Sequence, residues 1–232
     1  MEEAGRGASA GAGAEWGALV ERERSRYEDG QARLPQARDA DARQRQLTRL
    51  GNAASGAGLA LLMAARREEA ASWFERAAGR YRESFDSAPP GSWGRLLGAL
   101  KARILADDWS GAAADARWTI EAGAARASSP IGLYAAALAC LVLERDSEAR
   151  VHADSIRTRA DFPHSVGDAL AFLAAKDVLG YAEAVQAVLE SFEARAEYLE
   201  QVPVADTVLV LQALAGPRGL RAELASPLLP EI

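Results

Sequence analysis

The segment "LKARILADDWSGAAADARWTI" (100–120) decides the fold of this chain. It begins with apolar residues at helical spacing, passes through a short polar turn at Asp107 and Asp108, and continues with an alanine-rich stretch of the same spacing. Two helices joined by so short a turn lie antiparallel. Alanine where they cross lets the two backbones approach closely without leaving a void. The segment therefore predicts a helical hairpin.

Three further segments share this design: "LALLMAARREEAASWFERAA" (59–78), "AAALACLVLERDSEARVHADSI" (135–156) and "ALAFLAAKDVLGYAEAVQAVLESF" (169–192). In all four, the second helix starts with an acidic or small residue followed by alanine. The corresponding alanines are Ala70, Ala112, Ala149 and Ala184. They are 42, 37 and 35 residues apart, near the period of about 34 residues in tetratricopeptide repeats. Over roughly residues 50–195 the chain therefore resembles the tetratricopeptide repeat family, although its units are longer and lack regularly placed closing prolines.

The resemblance implies an all-α fold, in which antiparallel helical hairpins stack as a tetratricopeptide-like right-handed superhelix. We expect a single α-helical repeat domain over residues 15–232, with hairpin units near 50–87, 92–125, 129–158 and 163–200. A C-terminal capping helix is predicted at 203–215, followed by a tail that either forms an extended strap over an apolar groove or is a loose end. Upstream, two helices are expected, the second capped by Asp39 or Asp41.

The N-terminal residues 1–14 are rich in glycine and alanine, so they offer little surface to bury, and we expect a disordered tail.

The charge of the chain excludes some classes of partner. It has 27 basic and 33 acidic residues, a net charge of −6. Residues 1–116 hold 17 of each sign and residues 117–232 hold 10 basic and 16 acidic groups, so the second half carries the net charge. Nucleic-acid-binding proteins usually have a basic face, so we expect no nucleic-acid partner.

Localisation follows from hydropathy and cysteine content. No apolar run approaches the roughly 18 residues that span a bilayer, so no membrane partner is expected. A single cysteine suits a reducing compartment. These features predict a cytoplasmic protein, and the preference for arginine over lysine suggests a prokaryotic one.

The stretch "PPGSWGRLLGALK" (89–101) has the glycines and lysine of a phosphate loop but not their spacing. It instead predicts a helix that Ser92 caps. Gly94 and Gly98 would then form a small-residue face on which a neighbouring helix lies close.

Other reactive residues give no catalytic pattern. Cys140 lies in an apolar helical run, and the two histidines, His152 and His164, are not part of a ligand cluster. The adjacent carboxylates fall at predicted turns and helix starts, where a negative charge interacts favourably with the helix dipole. We therefore expect no enzyme, no cofactor and no metal.

Two surfaces are candidates for partner binding. Arginines and aromatic residues, both common in binding hot spots, alternate along residues 72–95. The candidates there are Trp73, Arg76, Arg80, Tyr81, Trp93 and Arg95, although core packing is an alternative for the aromatic residues. Near the C-terminus, Glu190, Glu193, Glu197 and Glu200 recur every three or four residues and predict an acidic stripe on one helix face, which either docks a basic partner or is merely solvated.

Helical arrays present a concave face and have no inherent catalytic machinery. We therefore expect a noncatalytic adaptor or scaffold that binds a protein or peptide; the oligomeric state is not predicted. The size, helical pattern and acidic balance also resemble all-helical immunity proteins, such as the immunity protein 49 family, which implies neutralisation of a cognate toxin. The alternative is a helical ligand sensor or enzyme with an inter-helix pocket, for which Asp168 and Lys176 are the residues to test.

Overall fold

The computed structural model describes residues 3–231, with side chains for residues 15–198 and 200–231. Within this part the chain is all-helical, with ten α-helices and no strand. The helices are α1 (Glu3–Arg33), α2 (Ala40–Met63), α3 (Arg67–Phe85), α4 (Trp93–Leu105), α5 (Trp109–Glu121), α6 (Pro130–Val142), α7 (Asp146–Arg157), α8 (His164–Ala175), α9 (Val178–Glu193) and α10 (Asp206–Ala215). Short 3-10 helices lie at Leu34–Gln36, Ala124–Arg126, Leu199–Gln201 and Gly216–Arg218.

The two helices expected upstream are α1 and α2. Asp39, rather than Asp41, caps α2, because its carboxylate accepts a hydrogen bond of 2.6 Å from the Ala42 amide. α2 is one continuous helix, so the first hairpin occupies residues 40–85. The disorder predicted for residues 1–14 stays a prediction: residues 1 and 2 lie outside the described part, and the backbone of residues 3–14 is placed in α1.

Four turns repeat the same backbone geometry. The α2–α3, α4–α5, α6–α7 and α8–α9 turns each contain one left-handed residue with φ of 57° or 58°: Ala65, Asp107, Glu144 and Lys176. In each turn the amide of the next residue donates to the carbonyl five positions earlier, at 2.8–3.0 Å. This is the Schellman arrangement that closes helix C-termini, here built without glycine. The four hairpins are thus joined by equivalent turns.

These turns give the structural register of the repeats. Ala70, Ala112 and Ala149 each lie five residues after the left-handed residue, and all are fully buried. In the fourth hairpin that position is Tyr181, also fully buried, whereas Ala184 lies three residues later. The alignment of Ala184 with the other alanines was therefore wrong. A bulky ring takes the equivalent position where α8 and α9 meet.

The helices pack mainly in chain order, each against the next. One buried cluster joins α1 to α4 and includes Phe74 and Tyr81. A larger cluster joins α4 to α10 and includes Leu100, Leu138 and Leu170. α4 contributes to both clusters and so lies at the centre of the molecule.

α10 departs from the chain order, because it packs against α4 as well as against α8 and α9. Its Val208 and Leu211 are fully buried in the larger cluster. Residues 219–231, here called the strap, then run along α10. The Ala205 amide donates to the Leu228 carbonyl at 3.0 Å, and Leu228 is buried. The predicted tail is therefore an extended strap and not a loose end.

Candidate functional site

A groove of about 410 Å³, which several polar side chains line, opens between α2 and α4. α2 contributes one wall, which carries Thr48, Asn52 and Ser55. α4 contributes the other wall, where the lining includes Gly94, Arg95, Gly98 and Lys101, while Tyr81 of α3 and Asp206 of α10 complete it. We call this site the α2–α4 groove.

The Tyr81 ring packs against two glycines, one on each wall of the groove. A Cβ on Gly51 of α2 would lie 2.8 Å from the ring, and one on Gly98 of α4 would lie 2.9 Å from it. The ring therefore fits between the two helices because both positions lack a side chain. Its hydroxyl donates to the Asn52 amide oxygen at 2.9 Å. Gly98 forms the predicted close contact, whereas Gly94 has open space beside it.

Ser92 does not use its side chain as predicted. It occupies the cap position of α4, but its hydroxyl donates to the Pro89 carbonyl at 2.7 Å instead of accepting from the helix. The hydroxyl therefore stabilises the preceding turn.

Arg95 brings an unpaired positive charge to the groove. Its Nε donates to the Thr48 hydroxyl at 3.0 Å and its terminal nitrogen donates to the Gln44 amide oxygen, so both acceptors are neutral. It forms no ion pair with any described residue. Burial lowers its pKa, and the field of Asp41 opposes this change only in part. The guanidinium stays protonated at all physiological pH.

Lys101 and Asp206 form an ion pair where α4 meets α10. The lysine side chain is 15% exposed and also donates to the Thr207 hydroxyl at 3.2 Å. Burial acts to lower the pKa of Lys101, but the charge of Asp206 and the hydrogen bond to it oppose this change, and the pKa is raised from its usual value of 10.5. The amine is therefore a protonated structural cation and not a base.

The turn between α9 and α10 contacts Asn52 of the groove and two arginines of α1. The Glu200 carboxylate accepts from Asn52 at 3.0 Å and pairs with Arg26. Arg22 donates to the Glu200 carbonyl. Glu200 and Gln201 both have φ of 55°, a conformation that costs non-glycine residues energy. These contacts with α1 and α2 hold the turn in place.

The aromatic–arginine segment divides between core and surface. Trp73 and Tyr81 are only 7% and 6% exposed and belong to the core. Trp93 is half-buried and packs beside Gly132 at the start of α6, facing away from the α2–α4 groove. Of the six predicted residues, the groove brings together only Tyr81 and Arg95.

Arg76 and Arg80 lie on the α1 side of α3. Arg76 stacks 4.6 Å from the centre of the Trp73 ring. Arg80 donates to the Tyr27 hydroxyl at 3.1 Å and pairs with Glu83 at 2.8 Å. Both arginines thus cover the contact between α1 and α3, away from Arg95.

The predicted acidic stripe on one helix face is wrong. α9 ends at Glu193, so Glu197 lies beyond the helix and Glu200 turns back toward Arg26. Glu190 and Glu193 are exposed on α9, and Glu193 accepts from the Ser226 hydroxyl of the strap at 2.7 Å. The helix ends between Glu193 and Glu197, so the four glutamates do not share one helix. Their spacing alone could not reveal this end.

Asp168 and Lys176 do not form a shared pocket. Asp168 pairs with Arg157 of α7 at 2.5 Å. Lys176 is largely exposed in the left-handed turn and lies 3.3 Å from Asp146. Asp168 and Lys176 therefore belong to two separate ion pairs at the surface.

The remaining reactive side chains occupy structural positions. Burial raises the pKa of the Cys140 thiol to about 11. His164 Nδ1 lies 2.8 Å from the Arg157 carbonyl oxygen, and burial lowers the pKa of His152. Among the described residues, no three His, Cys, Asp or Glu side chains are grouped to hold a metal ion. Over the same residues, no helix combines the length and apolar character that crossing a bilayer requires.

Several groove residues were not predicted from the sequence. Three of them, Asn52, Lys101 and Asp206, lie in helices whose sequence pattern indicated only packing against neighbouring helices. Asp206 reaches Lys101 because α10 packs back against α4, although the two residues are 105 positions apart in the sequence. The one available signal was that Lys101 is a lysine in a chain that otherwise uses arginine almost throughout.

Comparison with known proteins gives no relative: no family model, no curated protein and no solved structure matches this chain.

Proposed function

We propose that this protein is a noncatalytic helical array of the tetratricopeptide type, which binds an extended segment of another protein in the α2–α4 groove. The four equivalent turns and the packing of helices in chain order support a stacked array of hairpins. In such an array α2 and α4 would line the concave face of a right-handed superhelix.

The observation that carries the proposal is that the half-buried Arg95 forms no ion pair with any described residue. A half-buried guanidinium held by neutral oxygens presents donors to a carboxylate, and charge-assisted hydrogen bonds are stronger than neutral ones. The recognised segment would therefore carry an aspartate or glutamate opposite Arg95. Gly94, with open space beside it, would let the main chain of the segment approach α4.

An immunity role is one version of this function, in which the segment belongs to a toxin. It rests on the all-helical fold and the net charge of −6, together with the resemblance stated above. A cytoplasmic location and the absence of a nucleic-acid partner are part of the same proposal.

Affinity purification with mass spectrometry tests the proposal. The baits are the wild-type chain, Arg95→Gln, and a control, Arg117→Gln, which changes an exposed arginine of α5 that lines no cavity described above. We expect the wild type and the control to retain the same partner. Arg95→Gln should weaken its binding about tenfold or more, because a charged hydrogen bond is lost.

Equal retention by all three baits would contradict the assignment of Arg95, provided that circular dichroism shows the same fold in each. Where a partner is found, changing its acidic residues singly to the amides should identify the one whose loss matches that of Arg95. For the immunity version, co-expression should protect cells from the toxin, and Arg95→Gln should abolish that protection.

A further inference from the structure

A second cavity, of about 550 Å³, lies between α10, the strap and the ends of α2 and α4. Its volume falls within the range of about 300–1,000 Å³ that small-molecule sites occupy. We call it the strap cavity. It is independent of the segment-binding function proposed above, although Leu105 of α4 borders both sites.

Most residues that line the strap cavity are apolar. Its walls are formed by leucines, valine, isoleucine, alanines and proline of all four elements, among them Leu62, Ile104, Leu209 and Leu224. The one amide in the lining, that of Gln212, is already engaged.

Both the nitrogen and the oxygen of the Gln212 side-chain amide form hydrogen bonds. Its nitrogen donates to the Ala222 carbonyl at 2.6 Å, and its oxygen accepts from the Ala222 amide and the Tyr181 hydroxyl, both at 3.1 Å. These bonds fix the strap on α10, occupy both lone pairs of the Gln212 amide oxygen and use one of its two amide hydrogens, so Gln212 has little polar capacity left for a ligand inside. The interior therefore suits a hydrocarbon chain.

The rim of the strap cavity carries an excess of positive charge. Arg67 of α3 and Arg221 of the strap both line it and are exposed. Neither forms an ion pair within the described part of the chain, whereas the nearby Arg66 and Arg218 pair with acidic residues. Glu223 supplies an opposing charge at the rim, so among the described residues that line the cavity two cations face one anion.

We propose that the strap cavity binds an amphipathic carboxylate, namely a single acyl chain of medium length whose carboxylate lies between Arg67 and Arg221. The chain would occupy the apolar interior, where burial of each methylene strengthens binding. The two guanidinium groups would supply charged hydrogen bonds to the carboxylate oxygens.

Calorimetric titration of the full chain with octanoate, decanoate and dodecanoate, each below its micelle-forming concentration, tests the proposal. The affinity should rise about fourfold for each added methylene until the cavity is filled. Ala213→Phe, which places a ring into the cavity from α10, should abolish binding while the circular dichroism spectrum stays unchanged. Binding that is absent, that is independent of chain length, or that survives Ala213→Phe would overturn the proposal.

Rim variants test the role of charge. The double variant Arg67→Gln/Arg221→Gln should weaken decanoate binding about tenfold or more and leave the binding of neutral 1-decanol unchanged. Glu223→Gln should strengthen decanoate binding, because it removes the opposing charge. Arg95→Gln in the α2–α4 groove serves as the matched control and should have no effect. An equal loss for decanoate and 1-decanol in the double variant would show that the arginines do not bind the carboxylate.

Discussion

Lys101 and Asp206 are 105 residues apart in the chain, and their ion pair fastens α10 to α4. The pair lies at the edge of the α2–α4 groove, with the two side chains 15% and 24% exposed. Because water reaches it only in part, either charge would be poorly compensated without the other.

We therefore expect Lys101→Met to lower the free energy of unfolding by about 2 kcal/mol, somewhat less than the loss for a fully buried pair. The double variant Lys101→Met/Asp206→Leu should recover most of that stability, since no uncompensated charge remains. Urea unfolding of the three proteins measures both effects. A double variant no more stable than Lys101→Met would show that the methionine is harmful for steric reasons.

The same pair predicts a dependence on alkaline pH. The pKa of Lys101 is raised in the folded state, so the pair stabilises the protein fully below pH 10.5 and loses its effect as the pH rises through the raised value. Burial also raises the pKa values of Tyr81, Tyr134 and Tyr181. Tyr181 acts equally in the double variant. The loss of Asp206, by contrast, also removes a charge that raises the pKa of Tyr81 and Tyr134. Above pH 10.5 the wild type should therefore lose stability relative to the double variant; a constant difference would contradict the pairing.

Two glycine-to-alanine changes should have opposite effects on stability, because only one of the two glycines contacts the Tyr81 ring. Gly98→Ala should destabilise the protein by about 1–3 kcal/mol, because the new methyl group would lie 2.9 Å from the Tyr81 ring. Gly79→Ala, in the middle of α3 with nothing within 4 Å, should stabilise it by about 0.5–1 kcal/mol through helix propensity. Thermal unfolding distinguishes the two, and a stabilising Gly98→Ala would show that α4 is less tightly packed against Tyr81.

The left-handed turns predict that glycine stabilises one alanine position and destabilises another. Ala65 is exposed with φ of 58°, so Ala65→Gly should stabilise the protein by about 0.5–1 kcal/mol. Ala114 is exposed within α5, where glycine should destabilise by about 1 kcal/mol. Chemical unfolding of both variants provides the check. Loss of stability in both would argue against a strained turn at Ala65.

Cys140 predicts a difference in reactivity between the folded and the unfolded chain. Its thiol is buried and its pKa is raised to about 11, so at neutral pH it is neither accessible nor ionised. A thiol reagent should modify it slowly in the native protein and rapidly in concentrated guanidinium chloride. Rapid modification of the native protein would show that α6 opens readily.

Much of the fold could be predicted from the sequence, because alanine-rich helices and polar turns recur at regular distances. The four hairpins follow from that pattern, whereas the prolines of the tail were compatible with either a strap or a loose end. The register of the fourth hairpin could not be predicted from the alanines, because no alanine lies five residues after its left-handed residue, Lys176. Tyr181 then takes the position that alanine holds in the other three hairpins.

Less of the candidate site could be predicted. The mixture of arginine and aromatic residues identified Arg95 and Tyr81, but the same signal included Trp73, which packs in the core. Local spacing tells which residues share a helix face, not which face a later segment covers. The contacts of Asp206 and Glu200 depend on the return of α10, and this long-range packing has no local signature.

The return of α10 also changes how the chain should respond to denaturation. In an open array each hairpin contacts only its neighbours, so end units can fray separately. Here Glu200 contacts α1 and α2, and Asp206 contacts α4, so the last turns of the chain share contacts with its first helices. The end hairpins therefore cannot melt alone, and unfolding is expected to be one cooperative transition.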